Sequence, residues 1–293
     1  MENRFKKEWK AIEHEDTQPR WCSGNVIEYS YDEFQKDVML QNSRRVKSII
    51  ESLYLGDVFI LKNGFPKDYM LRLKKIMHEY GKKSESSFHK MLEGCPDFHR
   101  QITPELAKNY GLRQIKHSYY FFPWNKDQFN LFGSIYKRWG VFKFLSGFQF
   151  NAYEKNTPST GVVDRLQIAK YPSGVGELEV HSDPYLYQKV AISVIMAKKG
   201  EDYETGGAYA LGENRQHIDL EDGLDIGDIY LVYPTVCHGV ETIDKGSKVD
   251  WNSIKGRWFM GFYSNASDEN VRRHTVYGVE SMLSEGASSR LGG

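Results

Sequence analysis

Three observations predict a β-rich α+β protein in which N-terminal helices buttress a double-stranded β-helix, or jelly-roll, core. Up to about residue 150 the apolar residues recur at helical spacing. Beyond it the chain breaks into short runs rich in β-branched and aromatic residues. Glycines at 174, 176, 206, 207, 223, 227 and 239 punctuate those runs. Many short strands with glycine-rich turns make a sandwich, a jelly roll or a barrel. The expected division is a helical support region with a few strands over 1–150, a double-stranded β-helix core over 151–266 and an extension over 267–293. The three form one integrated domain, and the tail from Ser284 to Gly293 is expected to be disordered.

Taken in order, Asp32 is positioned to cap a short amphipathic helix through Phe34 and Val38. Ser43 precedes a second with Val46, Ile49, Ile50 and Leu53 on one face. Asp57–Leu61 reads as a strand stopped by Asn63-Gly64. Pro66 opens a helix bearing Met70, Leu71, Leu73, Ile76 and Met77, with Gly81 expected beyond its end. Residues 82–112 are polar and irregular. His117–Phe122 reads as a strand, and Asn125 or Asp127 caps a helix expected to end before Gly140. In the second half the clearest strands are Arg165–Tyr171, Val190–Ala197, Gly207–Leu211, Asp228–Tyr233 and Arg257–Tyr263.

Bulk composition narrows the function classes. Thirty-nine basic residues balance 39 acidic ones, so no global field points to nucleic acid or to a membrane surface. Cys22, Cys95 and Cys237 form neither a paired spacing nor an even framework, which favours a reducing compartment. The first ten residues lack the apolar run of a signal peptide, and the longest apolar stretches are strand-length. The expected location is therefore cytoplasmic, with no nucleic-acid or membrane partner.

Two motifs carry the chemistry. His181-Ser-Asp183-Pro184 sets an imidazole and a carboxylate two residues apart, on one face of a strand that Pro184 then stops. By itself this pattern is equally that of a surface histidine beside an aspartate. Fifty-five residues after Asp183, a turn, a buried strand and a proline break lead to His238. Alone, such a histidine is a structural hydrogen-bonder. Together they make a two-histidine, one-carboxylate set, which binds Fe(II) and leaves coordination positions open. Arg257 begins an apolar strand, and a guanidinium entering a buried sheet needs an anion. That anion is either an internal Asp or Glu or the carboxylate of a bound dicarboxylate, and the sequence leaves both open.

The run from Tyr171 through Gly174, Gly176, His181, Asp183 and Pro184 resembles the iron-binding region of the prolyl-hydroxylase-like branch of the Fe(II)- and 2-oxoglutarate-dependent dioxygenases. The likeness continues through Gly206-Gly207, the Gly227-Asp228…Tyr233-Pro234…His238-x-Val240 stretch and Gly256-x of Arg257, covering about 160–265 in order. The resemblance implies iron at His181, Asp183 and His238, with 2-oxoglutarate and O₂ as cosubstrates and succinate and CO₂ as products. It also implies a cosubstrate clamp from Arg257 and Tyr171. With a carboxylate at Asp183, hydroxylation is implied rather than halogenation, and desaturation or cyclisation use the same iron chemistry. The chain departs from the pattern in a long Glu241–Ile254 stretch before Arg257, for which Arg272 and Arg273 are the fallback.

Other residues are weaker candidates. His78 reads as packing or surface, and His89, His99 and His117 have no ligand partner at a recognisable spacing. Cys237 points away from the metal by strand alternation. The Tyr119–Trp124 aromatic run reads mainly as core. Tyr185 and Tyr187, just past the ligands, are the substrate-pocket candidates. The expected substrate is a small molecule. The alternatives are a protein prolyl or other residue hydroxylase of the same fold, or a non-catalytic cupin-like metal-binding module.

Overall fold

In the computed structural model the described residues are 2–13, 20–270 and 277–278. Helices α1 (Arg4–Ile12), α2 (Tyr31–Leu40), α3 (Ser43–Leu55), α4 (Lys67–Lys83), α5 (Pro104–Ala107) and α6 (Phe132–Leu145) all lie in the first half. Strands β1 (Val26–Ser30), β2 (Val58–Lys62), β3 (Phe98–Ile102) and β4 (Gln114–Phe121) are interspersed among them. The rest is strand: β5 (Val162–Tyr171), β6 (Glu177–Ser182), β7 (Ala191–Ile195), β8 (Gly207–Leu211), β9 (His217–Asp219), β10 (Ile229–Val232), β11 (His238–Glu241), β12 (Arg257–Ala266) and β13 (Tyr277–Gly278). The expected change of character near residue 150 is therefore observed. The fold is a β-rich α+β architecture around one large sheet.

Sequence chemistry accounts for the helix starts, with small corrections. Ser30, not Asp32, caps α2, through a reciprocal capping box with Glu33. Asn42, not Ser43, caps α3 by accepting from the Arg44 and Arg45 amides. Asp127 does serve the start of α6, accepting from the Leu131 and Phe132 N–H groups. Two helices run through glycines expected to end them. At Gly81 in α4 a Cβ would strike the Tyr119 phenol, and at Gly140 in α6 it would strike the Phe150 ring. Those glycines are selected by close packing, not by termination. The 82–112 segment, expected to be irregular, contains β3 and the single turn of α5.

The sheet runs β1-β2-β10-β7-β12-β5-β4-β6-β11-β8-β9, with β3 on β4 and β13 on β6. Strand β4 is shared: it pairs with β5 through His117–Phe121 and with β6 through Gln114 and Ile115. The sheet curls across this junction, so that Arg257 on β12 meets Glu221, just past β9 at the far end of the strand order.

Alternation gives the β3-β4-β5-β12 region two faces of different character. Trp258, Met260 and Phe262 are buried toward the helices, where Trp139 of α6 stacks on Phe262 at 5.3 Å. Tyr119 lies parallel to Trp258 at 6.0 Å, with Tyr80 of α4 against it. This side is the main core, and α1 extends it by stacking Trp9 on Tyr233 at 5.4 Å. The opposite face carries Arg100, Lys116, Tyr120, Arg165, Tyr171, Arg257 and Tyr263, which cross-strand pairing places on one side. A polar, aromatic face enclosed by a curled sheet is where a site can form.

Candidate metal centre and its cavity

His181 and His238 stand directly opposite each other on the antiparallel strands β6 and β11. Their rings lie 4.4 Å apart. The chain then turns out of β6 at Pro184, while the Asp183 amide donates to the Pro234 carbonyl at 2.8 Å. That bond brings the carboxylate between the imidazoles: Oδ1 is 3.8 Å from His181 Nε2, and Oδ2 is 3.7 Å from His238 Nε2. One ligand atom from each of the three residues lies within 4.8 Å of the others, the only such group of three among the described residues. The separations suit atoms facing one shared ion.

The backbone fixes which nitrogen faces inward. His181 Nδ1 is 2.9 Å from the Glu179 carbonyl, and His238 Nδ1 is 2.8 Å from that of Val236. A carbonyl only accepts, so each Nδ1 carries the proton and each Nε2 presents its lone pair. Burial, then the neighbouring His238, pushes the His181 pKa down to about 4, so its imidazole is neutral at pH 7. Two imidazoles with inward-facing Nε2 atoms and a carboxylate are a donor set for a divalent transition metal, and the residues fit Fe(II).

Arg257 and Tyr171 are cross-strand partners, paired in register on β12 and β5. Arg257 takes the internal-carboxylate option the sequence had left open: Nε and Nη2 both donate to Glu221, at 2.8 Å for the shortest contacts. Glu221 also accepts from the Tyr203 hydroxyl at 2.8 Å and the Ala208 amide at 2.9 Å. The guanidinium is not exhausted, because Nη1 is buried with no partner, as is the Tyr171 hydroxyl. The Glu241–Ile254 stretch is a pinned loop. Ile243 exchanges hydrogen bonds with Gly174 and Gly176, and Asp244 accepts from the Glu204 and Thr205 amides and from Ser173. It leads into Gly256, whose φ of +112° and contact with the Tyr171 carbonyl leave no room for a side chain.

Sequence reasoning missed several charged residues here. Lys116 is buried on β4, with its ammonium 5.7 Å from the Tyr171 ring. Burial first, then Arg165, lowers its pKa to about 7, with Asp183 opposing. It makes no ion pair or hydrogen bond among the described residues. Arg165 lies over the rings of Tyr263 and Tyr120, at 4.7 and 5.5 Å. A signal existed: Gln114, Lys116, Ser118 and Tyr120 alternate with apolar or core residues along β4, marking a polar face. Glu221 sits in an acidic turn with no such signal.

The remaining candidates separate from the centre. Cys237 is fully buried in a side cluster with Leu211, as alternation predicted. His78 is edge-on to Trp258 at 6.4 Å. His99 and His117 form a buried pair, Nε2 to Nδ1 at 3.0 Å, on the helix side of β4. Tyr119 and Phe121 are core, whereas Tyr120 and Phe122 line a cavity. Tyr185 stands 6.1 Å from the Tyr233 ring and Tyr187 6.5 Å from Tyr153. Arg272, Arg273 and the tail from Ser284 lie outside the described residues.

No protein-family model matches the chain, and no curated protein matches it in sequence. Among solved structures, it is similar to a Pseudomonas putida prolyl-4-hydroxylase at 10% identity, covering 75% of this chain and 97% of that one, with TM-score 0.44. It is similar to a full-length Neurospora crassa protein solved in complex with alpha-KG and 5-formyluracil, at 14% identity, 94% and 98% coverage and TM-score 0.49. A 2OG-Fe(II) oxygenase family protein from Caulobacter crescentus aligns at 12% identity, 90% and 99% coverage and TM-score 0.49.

Proposed function

We propose that the protein is an Fe(II)- and 2-oxoglutarate-dependent oxygenase that hydroxylates a small molecule on a double-stranded β-helix scaffold. The observation that carries this is the convergence of His181, Asp183 and His238, with both Nδ1 atoms tied to backbone carbonyls and both Nε2 atoms facing one carboxylate. Neutral imidazoles with one carboxylate leave a divalent ion with net positive charge, which favours an anionic chelator. The polar face of the sheet carries the matching groups: Arg257 Nη1 and the Tyr171 hydroxyl, both buried and unpartnered, and the Lys116 ammonium. A bare metal-binding module has no use for such a set, because orphaned buried donors destabilise a fold.

When bound, iron with 2-oxoglutarate supplies O₂ activation: one oxygen atom enters succinate as CO₂ leaves, and the other converts a substrate C–H into C–OH. The chain's own part is orientation. His181 and His238 donate nitrogen lone pairs, and Asp183, its backbone anchored to Pro234, supplies the carboxylate. Arg257 and Tyr171, held in register on neighbouring strands, fix the far carboxylate of the cosubstrate. The aromatic wall of Tyr171, Phe259 and Tyr263 limits water around the reacting carbon.

Anaerobic titration of Fe(II)-loaded protein with 2-oxoglutarate tests this. A weak visible metal-to-ligand band is expected, lost in His181→Ala and weakened in Arg257→Met. No band in the wild type, with no succinate formed in air, rejects the oxygenase reading in favour of a metal-binding module.

A further inference from the structure

One cavity on the polar face of the sheet carries a charge that the cosubstrate does not explain. It measures about 380 Å³, and its wall includes Phe88, Arg100, Tyr110, Gln114, Tyr120 and Arg165. Arg100 and Arg165 share the polar face of the sheet with Lys116, Tyr171 and Arg257. Each guanidinium lies against aromatic rings. Arg100 is 4.7 Å from Phe88 and 5.3 Å from Tyr110, and Arg165 bridges Tyr120 and Tyr263. Both Nε atoms are buried without a hydrogen-bond partner. Neither arginine forms an ion pair among the described residues. The one carboxylate on the described wall, Asp268, is 2.6 Å from the Met91 amide and accepts from it.

Two cations over aromatic walls, with buried donors left open in a pocket that solvent can reach, make a receptor for an anion attached to an apolar body. Gln114 of the cavity wall pairs with Leu178 on β6, the strand that carries His181. Arg165 lies 4.7 Å from the Tyr263 ring, its cross-strand partner on the face that also carries Tyr171 and Arg257. We propose that the primary substrate is an amphipathic organic anion whose carboxylate or phosphate is held by Arg165 and Arg100. Its aromatic or aliphatic body then packs on Tyr120 and Phe88 and extends toward His181, Asp183 and His238. This rests on the oxygenase reading above and assigns it a substrate class.

The test uses full-length protein loaded with Mn(II) and 2-oxoglutarate, titrated calorimetrically with 4-phenylbutyrate, 3-phenylpropyl phosphate and neutral 4-phenylbutyramide. At least one anion is expected to bind about ten-fold or more tightly than the amide, a 1.4 kcal/mol preference. The tighter anion identifies the head group as carboxylate or phosphate. Mn(II), but not Zn(II), is expected to broaden the bound probe's proton lines, which places it beside the metal. Arg165→Gln and Arg100→Gln should each erode the preference, while Arg165→Lys, which keeps the charge, retains most of it. Equal affinity for anions and amide, no binding of either anion, or a preference that survives the double Gln variant overturns the proposal. The iron–2-oxoglutarate band is read separately. Its presence without anion selectivity sinks only this inference, and its absence sinks the oxygenase reading.

Discussion

Replacing Arg257 by Met removes one half of a pair whose side chains are 2% and 4% exposed. Glu221 then remains buried as a carboxylate, but it keeps the Tyr203 hydroxyl and the Ala208 amide as donors. Breaking a buried pair costs about 3–5 kcal/mol, and the two surviving donors put this loss near the lower end, about 3 kcal/mol. Glu221→Gln should cost more, about 4–5 kcal/mol. The guanidinium then keeps only neutral acceptors, the Gln Oε1 and the Tyr230 hydroxyl at 3.5 Å, and no charge to neutralise it. The double variant buries no unpaired charge, so it should be more stable than the sum of the single losses by about 3 kcal/mol. With a urea slope of about 3 kcal/mol/M, Arg257→Met moves the unfolding midpoint down by about 1 M. Cosubstrate binding gives the second readout. Arg257→Met weakens 2-oxoglutarate, whereas Glu221→Gln leaves a guanidinium whose charge is no longer neutralised and strengthens it. Strictly additive urea losses would mean that the pair is not formed in solution. Unchanged 2-oxoglutarate affinity in both variants would mean that the anion binds elsewhere.

Further predictions concern the proposed metal ligands and the buried titratable groups. His238→Ala and Asp183→Ala should each lower Fe(II) affinity, by equilibrium dialysis, beyond the 10–100-fold typical of losing a ligand's supporting hydrogen bond; near-normal retention would remove these residues from the centre. Lys116 is held at about pKa 7 against 10.5 for an ordinary lysine. Unfolding therefore takes up a proton between pH 7 and 10.5, and the metal-free protein should gain stability as pH rises through that window. Lys116→Met should be more stable at pH 7, by about 4 kcal/mol at most, and should lack this rise; urea midpoints at pH 7 and 9 that move in parallel with the wild type would refute it. Burial lowers His181 to about 4 and His117 to about 3. As pH falls from 6.5 toward 4 the unfolded chain binds protons that the folded one refuses, so each histidine removes about 1.4 kcal/mol of stability per pH unit. His117→Asn should flatten the acid limb of the metal-free protein, and an unchanged slope in urea titrations would show that His117 is not buried in neutral form.

The convergence of His181, Asp183 and His238 was legible because it rests on local rules. Two residues apart on a strand means one face, and a proline-terminated buried strand delivers His238 to the neighbouring rim. Helix and strand existence followed from periodicity, whereas helix ends did not. Gly81 and Gly140 looked like terminators but are contact points for Tyr119 and Phe150, which no local pattern reveals. The Arg257–Glu221 pair was legible only as a need: the sequence demanded an anion without saying which. Its partner lies 36 residues away in sequence, in a turn whose acids look alike. Lys116 and Arg165 were hidden because a lone cation in a strand reads as solvated until the sheet is known to curl over it.

The shared strand β4 sets how this molecule can breathe. It is fastened to β5 by five residue pairs but to β6 by two, and β11 loses register with β6 just past His238. Local opening is easiest where a ladder is thinnest. The seam between Gln114-Ile115 and Glu177-Leu178 is therefore the natural hinge of the sheet. Parting it separates the edge bearing His181 from the edge bearing Lys116, while the ten-pair ladder that aligns Arg257 with Tyr171 stays closed. Amide exchange at Ile115 and Leu178 should then outpace that along β5 and β12, giving small molecules a way in and out that leaves the anchoring side of the cavity intact.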